Sequence, residues 1–257
     1  MKYRFFLLFP AILVLSIVST AQDSKGARPP VEKPAAVSKA PTVKEVLDRY
    51  VTALGGREAI EKLKARAATG TVEIMPMNLK GTFETYAAPD AKSFIKMSFA
   101  GIGDFFETSD GKSAWSLNPI QGSREKTGAE LAQAKLVNDF YRDIRLESLY
   151  PKIVMKGIEK VGGNDAYALT ATTDGGQSET WYFDIKSGLM VRSDMTVLSP
   201  EGRQQMSNYP EDLRAVDGVL IPHRTRTEGA GMTIVVNLTA IKHGEPIDEA
   251  KFGKPKQ

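Results

Sequence analysis

The chain has 257 residues, 42% of them hydrophobic and 25% charged, a mix that excludes disorder throughout its length. Lys and Arg total 34 against 31 Asp and Glu, so no broad positive field recruits nucleic acid or an acidic membrane. With no cysteine and two histidines, His223 and His243, the chain cannot build a disulfide, a thiolate zinc site, an iron–sulfur cluster, a cysteine nucleophile or a three-histidine metal centre.

Residues 1–21 read as a cleaved secretory signal: Lys2 and Arg4, an apolar run from Phe5 to Val18, then the small residues Ser19, Thr20 and Ala21. At 1.5 Å per residue that run spans about 21 Å, short of a hydrocarbon core of about 30 Å. No cysteine is present to carry a lipid at the cleavage point, so the mature product is expected to be soluble. Residues 22–41 are rich in Lys, Pro and Ala, with Arg28-Pro29-Pro30 and Lys33-Pro34, a composition that favours extended chain and reads as a tether. Residues 42–257 form the folded domain, nearly neutral once the basic residues before it are set aside.

The domain opens with a helix. Thr42 and Glu45 are spaced as a capping box, Val43, Val46, Leu47, Tyr50, Val51 and Leu54 lie on one stripe, and Gly55-Gly56 closes it. A second short helical turn covers Arg57 to Leu63. From Ala67 the period shortens to two, with Val72 and Ile74, then Leu79 and Phe83, then Ile95, Met97 and Phe99, then Trp115 and Leu117 read as one face. Lys80, Thr82, Glu84, Lys96 and Ser98 take the other, and Ser109-Asp110-Gly111-Lys112 is a tight turn.

A second helical block of about four turns follows, with Thr127 and Glu130 spaced as another capping box and Leu131, Leu136, Val137, Phe140, Tyr141 and Ile144 on its apolar side. Strands resume at Tyr167–Thr172, Glu179–Asp184, Leu189–Leu198, Arg203–Tyr209, Val219–Glu228 and Met232–Lys242. So many strands with so few helices predict an α+β fold: a single curved, unclosed antiparallel β-barrel of about 10–11 strands, with helices forming a lid over its concave face.

Ser109-Asp110-Gly111-Lys112, Trp115 and Asn118-Pro119 form a strand-turn-strand segment that resembles the corresponding stretch of LolA-type periplasmic lipoprotein carriers. Gly81-Thr82-Phe83 running to Ala88-Pro89 and Phe94 is similar to the strand pair before it, and Ile247 to Phe252 to the family's closing segment. The resemblance implies an unclosed barrel of about eleven strands with a helical lid, located in the periplasm, that shelters lipoprotein acyl chains between an inner-membrane donor and an outer-membrane acceptor. The family's carriers place an arginine before the proline matched to Pro89. Ala88 stands there instead, which implies a different cargo or a different handover partner.

Ile74, Phe83, Ile95, Met97, Phe99, Trp115, Leu117, Trp181 and Phe183 are the residues expected to line the apolar cavity. His223, Arg224 and Arg226 are grouped in one strand and could meet an anionic head group. No catalytic residue, cofactor or metal ligand is expected, and neither histidine has a recognisable nucleophile beside it. The expected role is a monomeric carrier or chaperone for lipoprotein acyl chains or another lipid. A lipid- or lipoprotein-sensing binding module is the alternative, and a lipid hydrolase comes third.

Overall fold

A computed structural model describes residues 40–200 and 202–256, so the signal and nearly all of the tether lie outside the described residues. Helices α1 (Val43–Ala53) and α2 (Arg57–Lys62) precede strands β1 (Arg66–Met75), β2 (Leu79–Ala88), β3 (Lys92–Phe99), β4 (Gly103–Asp110), β5 (Ala114–Asn118) and β6 (Gly122–Glu125). Helices α3 (Gly128–Val137) and α4 (Arg142–Leu149) follow. The remaining strands are β7 (Lys152–Val161), β8 (Asn164–Thr172), β9 (Ser178–Asp184), β10 (Met190–Ser199), β11 (Gly202–Val216), β12 (Val219–Gly229) and β13 (Met232–His243), and a 3-10 turn at Glu249–Phe252 closes the chain.

All thirteen strands form one sheet in the order β6-β5-β4-β3-β2-β1-β13-β12-β11-β10-β9-β8-β7. Its two outermost strands, β6 and β7, are not paired with each other, so the barrel is unclosed. Helix α3 touches both β5, near one edge, and β10, towards the other, and a helix can bridge them only if the sheet curls.

The opening helix forms as its sequence dictates. The Thr42 side chain accepts from the Glu45 amide, the Glu45 carboxylate accepts from the Thr42 amide at 2.6 Å, and Val46, Leu47 and Tyr50 are buried. Gly55 (φ +121°) is required beyond its left-handed bend, because a Cβ there would stand 2.1 Å from the Gly218 carbonyl oxygen. The adjacent Leu54 carbonyl accepts from the Leu220 amide at 2.8 Å and fixes the helix end on β12.

Three expectations need correction. The second helical block is two helices, broken between Asn138 and Tyr141, where the Asp139 side chain accepts from the Tyr141 amide. Thr127 makes no side-chain cap, because Glu130 is held instead by a two-pronged pair with Arg124, both bonds 2.7 Å. The sheet has thirteen strands rather than ten or eleven: β6 and β7 are additional, and β11 runs on in register to Val216, with Asp212 at φ +49°.

Candidate functional site

Cross-strand partners in an antiparallel sheet share a face, and the register sorts the residues. Ile74 pairs with Leu79, Phe83 with Met97, Met97 with Phe105, and Thr85 with Ile95. On β12 and β13 the same face carries Val219, Ile221, Thr225, Ile234 and Val236. Val219 and Ile221 pack with α1 and α2 in the main core, so this is the concave, helix-bearing side.

The two parts of that face differ. Over β8, β9 and β10 the helices seat directly on the sheet: Val46, Leu47, Tyr50, Leu54, Ile144 and Leu146 pack against Leu169, Trp181, Phe183 and Met190. Trp181 is 0% and Phe183 1% exposed, and Tyr50 and Tyr150 lie against them at ring separations of 5.1 and 4.8 Å. Over β2, β3 and β4, by contrast, Phe83, Ile95, Met97 and Phe105 are half-buried and form a continuous apolar wall. Gly81 keeps this wall smooth, since a Cβ there would lie 2.7 Å from the ring of Phe99, which is buried edge-on against Phe105.

Helix α3 straps the two arms together. Glu130 holds Arg124 on β6, while the Gln133 amide donates to the Thr196 carbonyl at 2.6 Å and accepts from the Leu198 amide at 3.0 Å on β10. These polar ties are few, and exposed or partly buried bonds of this kind contribute about 1 kcal/mol each. Rupture of the strap is cheap beside loss of the core.

A buried polar cluster anchors α4. Arg142 donates through Nη2 to the Tyr150 hydroxyl at 2.8 Å and to Glu179 at 2.6 Å; Tyr150 donates to the other Glu179 oxygen at 2.5 Å, and Trp181 Nε1 donates to Glu179 at 2.8 Å. Burial lowers the affinity of the Arg142 guanidinium for its proton, but Glu179, Tyr150 and Asp143 together outweigh it, so Arg142 is held above the usual arginine range. Burial raises the Tyr150 hydroxyl well above the tyrosine range.

The expected lining residues are thus distributed over three places. Ile74, Phe83, Ile95 and Met97 stand together on the open wall, with Phe99 at its end. Trp181 and Phe183 share the face but sit beneath the helices. Trp115 pairs with Thr108 and Leu117 with Phe106, which puts both on the outer face. There the chain's end covers the sheet: the Thr108 hydroxyl donates to the Gly253 carbonyl, Lys251 lies over the Tyr86 and Phe94 rings, and Phe252 is 1% exposed.

His223 stands on the concave face and its Nδ1 is 3.1 Å from the Ile221 carbonyl oxygen. Arg224 and Arg226 stand on the opposite face and both donate to Glu211, at 2.8 and 2.9 Å. The register does not bring the three to one place. Ala88 ends β2 opposite Lys92, which pairs with Glu249. Among the described residues no group of three or more His, Cys, Asp or Glu is placed to hold a metal ion, and no helix is long and apolar enough to cross a membrane.

Among solved structures, the fold matches a LolA superfamily protein from Nitrosomonas europaea with a TM-score of 0.55 at 13% identity, over 84% of this chain and 99% of that one. It matches a putative outer membrane lipoprotein-sorting protein domain from Vibrio parahaemolyticus at 0.54 and 10%, over 82% and 97%. A DUF1329 family protein from Desulfovibrio piger matches at 0.54 and 16%, over 82% and 97%. No family model matches the sequence, and no curated protein does. At these identities the likeness is one of architecture: the chain has the LolA-like fold.

Proposed function

We propose that the protein is a periplasmic carrier that shelters the acyl chains of lipoproteins, or of another lipid, against the open part of its concave face and delivers them towards the outer membrane. The observation that carries this reading is the wall of Phe83, Ile95, Met97 and Phe105, half-buried on the same sheet face that elsewhere is packed tight under helices. Ile74 and Phe99 extend it. Each methylene withdrawn from water there contributes about 0.8 kcal/mol, so a dozen carbons gain on the order of 10 kcal/mol before ordering costs. No bond-making step is involved. The names of the matched structures, a LolA superfamily protein and a lipoprotein-sorting domain, support the same cargo class, and the N-terminal signal read in residues 1–21 supports export.

Native mass spectrometry of protein purified from the envelope fraction is expected to show a lipid or lipopeptide at one-to-one, and loaded protein is expected to pass it to acceptor vesicles. A bare mass that stays bare on addition of fatty acid or lipopeptide would overturn acyl-chain binding. Binding without transfer would overturn the carrier role alone.

A further inference from the structure

Beneath the helices, the packed part of the concave face encloses a cavity of about 230 Å³ between α1, α2, the start of α4 and strands β10 to β12. That is below the roughly 300 Å³ at which pockets take a whole drug-sized molecule. Apolar residues such as Leu54, Leu63, Met190 and Ile221 make much of its wall, yet two arginines line it as well: Arg66, the first residue of β1, and Arg142, the first of α4. Asp143 is the one acid in the lining.

The fold leaves these donors partly uncommitted. Arg66 donates only through Nε, to His243 Nε2 at 3.2 Å, and the other nitrogen of that ring lies 2.8 Å from Asp217. The imidazole therefore accepts from Arg66 and donates to Asp217, and the terminal nitrogens of Arg66 meet no acceptor among the described residues. Arg142 uses one terminal nitrogen for Tyr150 and Glu179, while its Nε is fully buried with no acceptor. Ser193 and Asn208 also line the cavity, and the Asn208 side-chain oxygen accepts from the Thr227 hydroxyl at 3.0 Å. Burial pulls the Arg66 guanidinium below the usual arginine range, with Asp143 opposing it. A buried donor without an acceptor is costly, and among the described residues of this lining Arg142 Nε is the one such atom.

We propose that this cavity holds the carboxylate head of a fatty acid or similar single-chain amphiphile between Arg66 and Arg142. Glu179 pairs with Arg142 and Asp143 lies within the field of Arg66, so the attraction comes from geometry rather than net charge: the terminal nitrogens of Arg66 carry no hydrogen bond among the described residues, and the planar guanidinium fork suits a carboxylate. The register supplies the route for the tail: Ser193 and Asn208 are opposite each other, and the next pair on the same face is Met195 and Met206, with Ile234 beyond across β12. The head-group site rests on the acyl-chain reading given above, because only an amphiphile uses both.

The test compares oleate with methyl oleate, which has the same tail and no charge, on the full chain and on Arg66→Gln. Oleate is expected to bind at least tenfold more tightly than the ester, and Arg66→Gln to bring oleate down to the ester while leaving the ester unchanged. Equal affinities in the unaltered protein, or an oleate advantage that survives Arg66→Gln, would overturn the head-group site and leave acyl-chain binding standing. Failure of both ligands to bind would overturn both. Acetate displacing oleate at equal concentration would reduce the site to one for free anions and overturn the amphiphile. Should Arg66→Gln not fold, carboxyl-¹³C oleate on the unaltered protein carries the test. Its head is expected to titrate at lower pH than in detergent micelles, and an equal or higher midpoint would overturn the site.

Discussion

Two parts of one sheet face are completed in different ways. Over β8 to β10 the chain supplies its own cover, and Leu169, Trp181 and Phe183 are essentially sealed beneath α1 and α4. Over β2 to β4 the same face presents Phe83, Ile95, Met97 and Phe105 only half-covered, and α3 crosses the mouth on polar ties and the apolar contacts of Ala134 and Leu136. An apolar surface that folding leaves unfinished in this way is where the proposed carrier function places its guest. The difference teaches that aromatic residues of equal hydrophobicity are sealed or left half-open according to which helix reaches them.

Substitutions on the two parts should therefore separate stability from binding. Trp181→Ala is expected to cost about 3–5 kcal/mol in urea unfolding. Phe83→Ala, half-buried from the start, should cost less than about 1.5 kcal/mol yet weaken acyl-chain binding clearly. Equal stability losses would break the comparison. Glu179→Gln leaves the Arg142 charge buried and uncompensated, and a loss of about 3–5 kcal/mol in urea unfolding is expected.

Alkaline pH gives a third handle. Burial raises the hydroxyls of Tyr50 and Tyr150 in the packed part and that of Tyr182 on the outer face, the last to about 12. The unfolded chain gives up these protons near pH 10 while the folded chain keeps them. Stability is thus fully present below about pH 10 and falls as pH rises from there, by up to about 1.4 kcal/mol per pH unit for each tyrosine. Unfolding free energies measured between pH 8 and 11 should show this fall, and Tyr150→Phe should make it shallower; a flat profile would mean that these hydroxyls are not sealed. Thr42→Ala, which removes the cap of α1 far from the open wall, should cost about 1 kcal/mol and leave binding untouched.

Much of this was legible from local pattern. The Thr42–Glu45 cap, the Gly55 bend and the Ser109–Lys112 turn are short-range devices, and each stands where spacing puts it. Trp115 and Leu117 were not, because polar-out alternation assumes a bare outer face, and here the 3-10 turn with Phe252 folds back on it and gives apolar side chains a home on both sides. Strand β7 was missed because it is an edge strand, with Lys152, Lys156 and Lys160 exposed along it and Val154 and Ile158 facing solvent as well. The paired arginines come from elements far apart in sequence. The one local signal was Arg142 four residues before the buried Leu146, an arginine on the apolar side of its helix.

The central claim is that the wall over β2 to β4 receives the acyl chain, and photocrosslinking tests it most directly. A lipopeptide carrying a diazirine in its acyl chain, irradiated on the protein and mapped by peptide mass spectrometry, is predicted to label Phe83, Ile95, Met97 or Phe105. Labelling confined to the outer face around Trp115 and Phe252, or none above the level given by an unlipidated peptide, would contradict it.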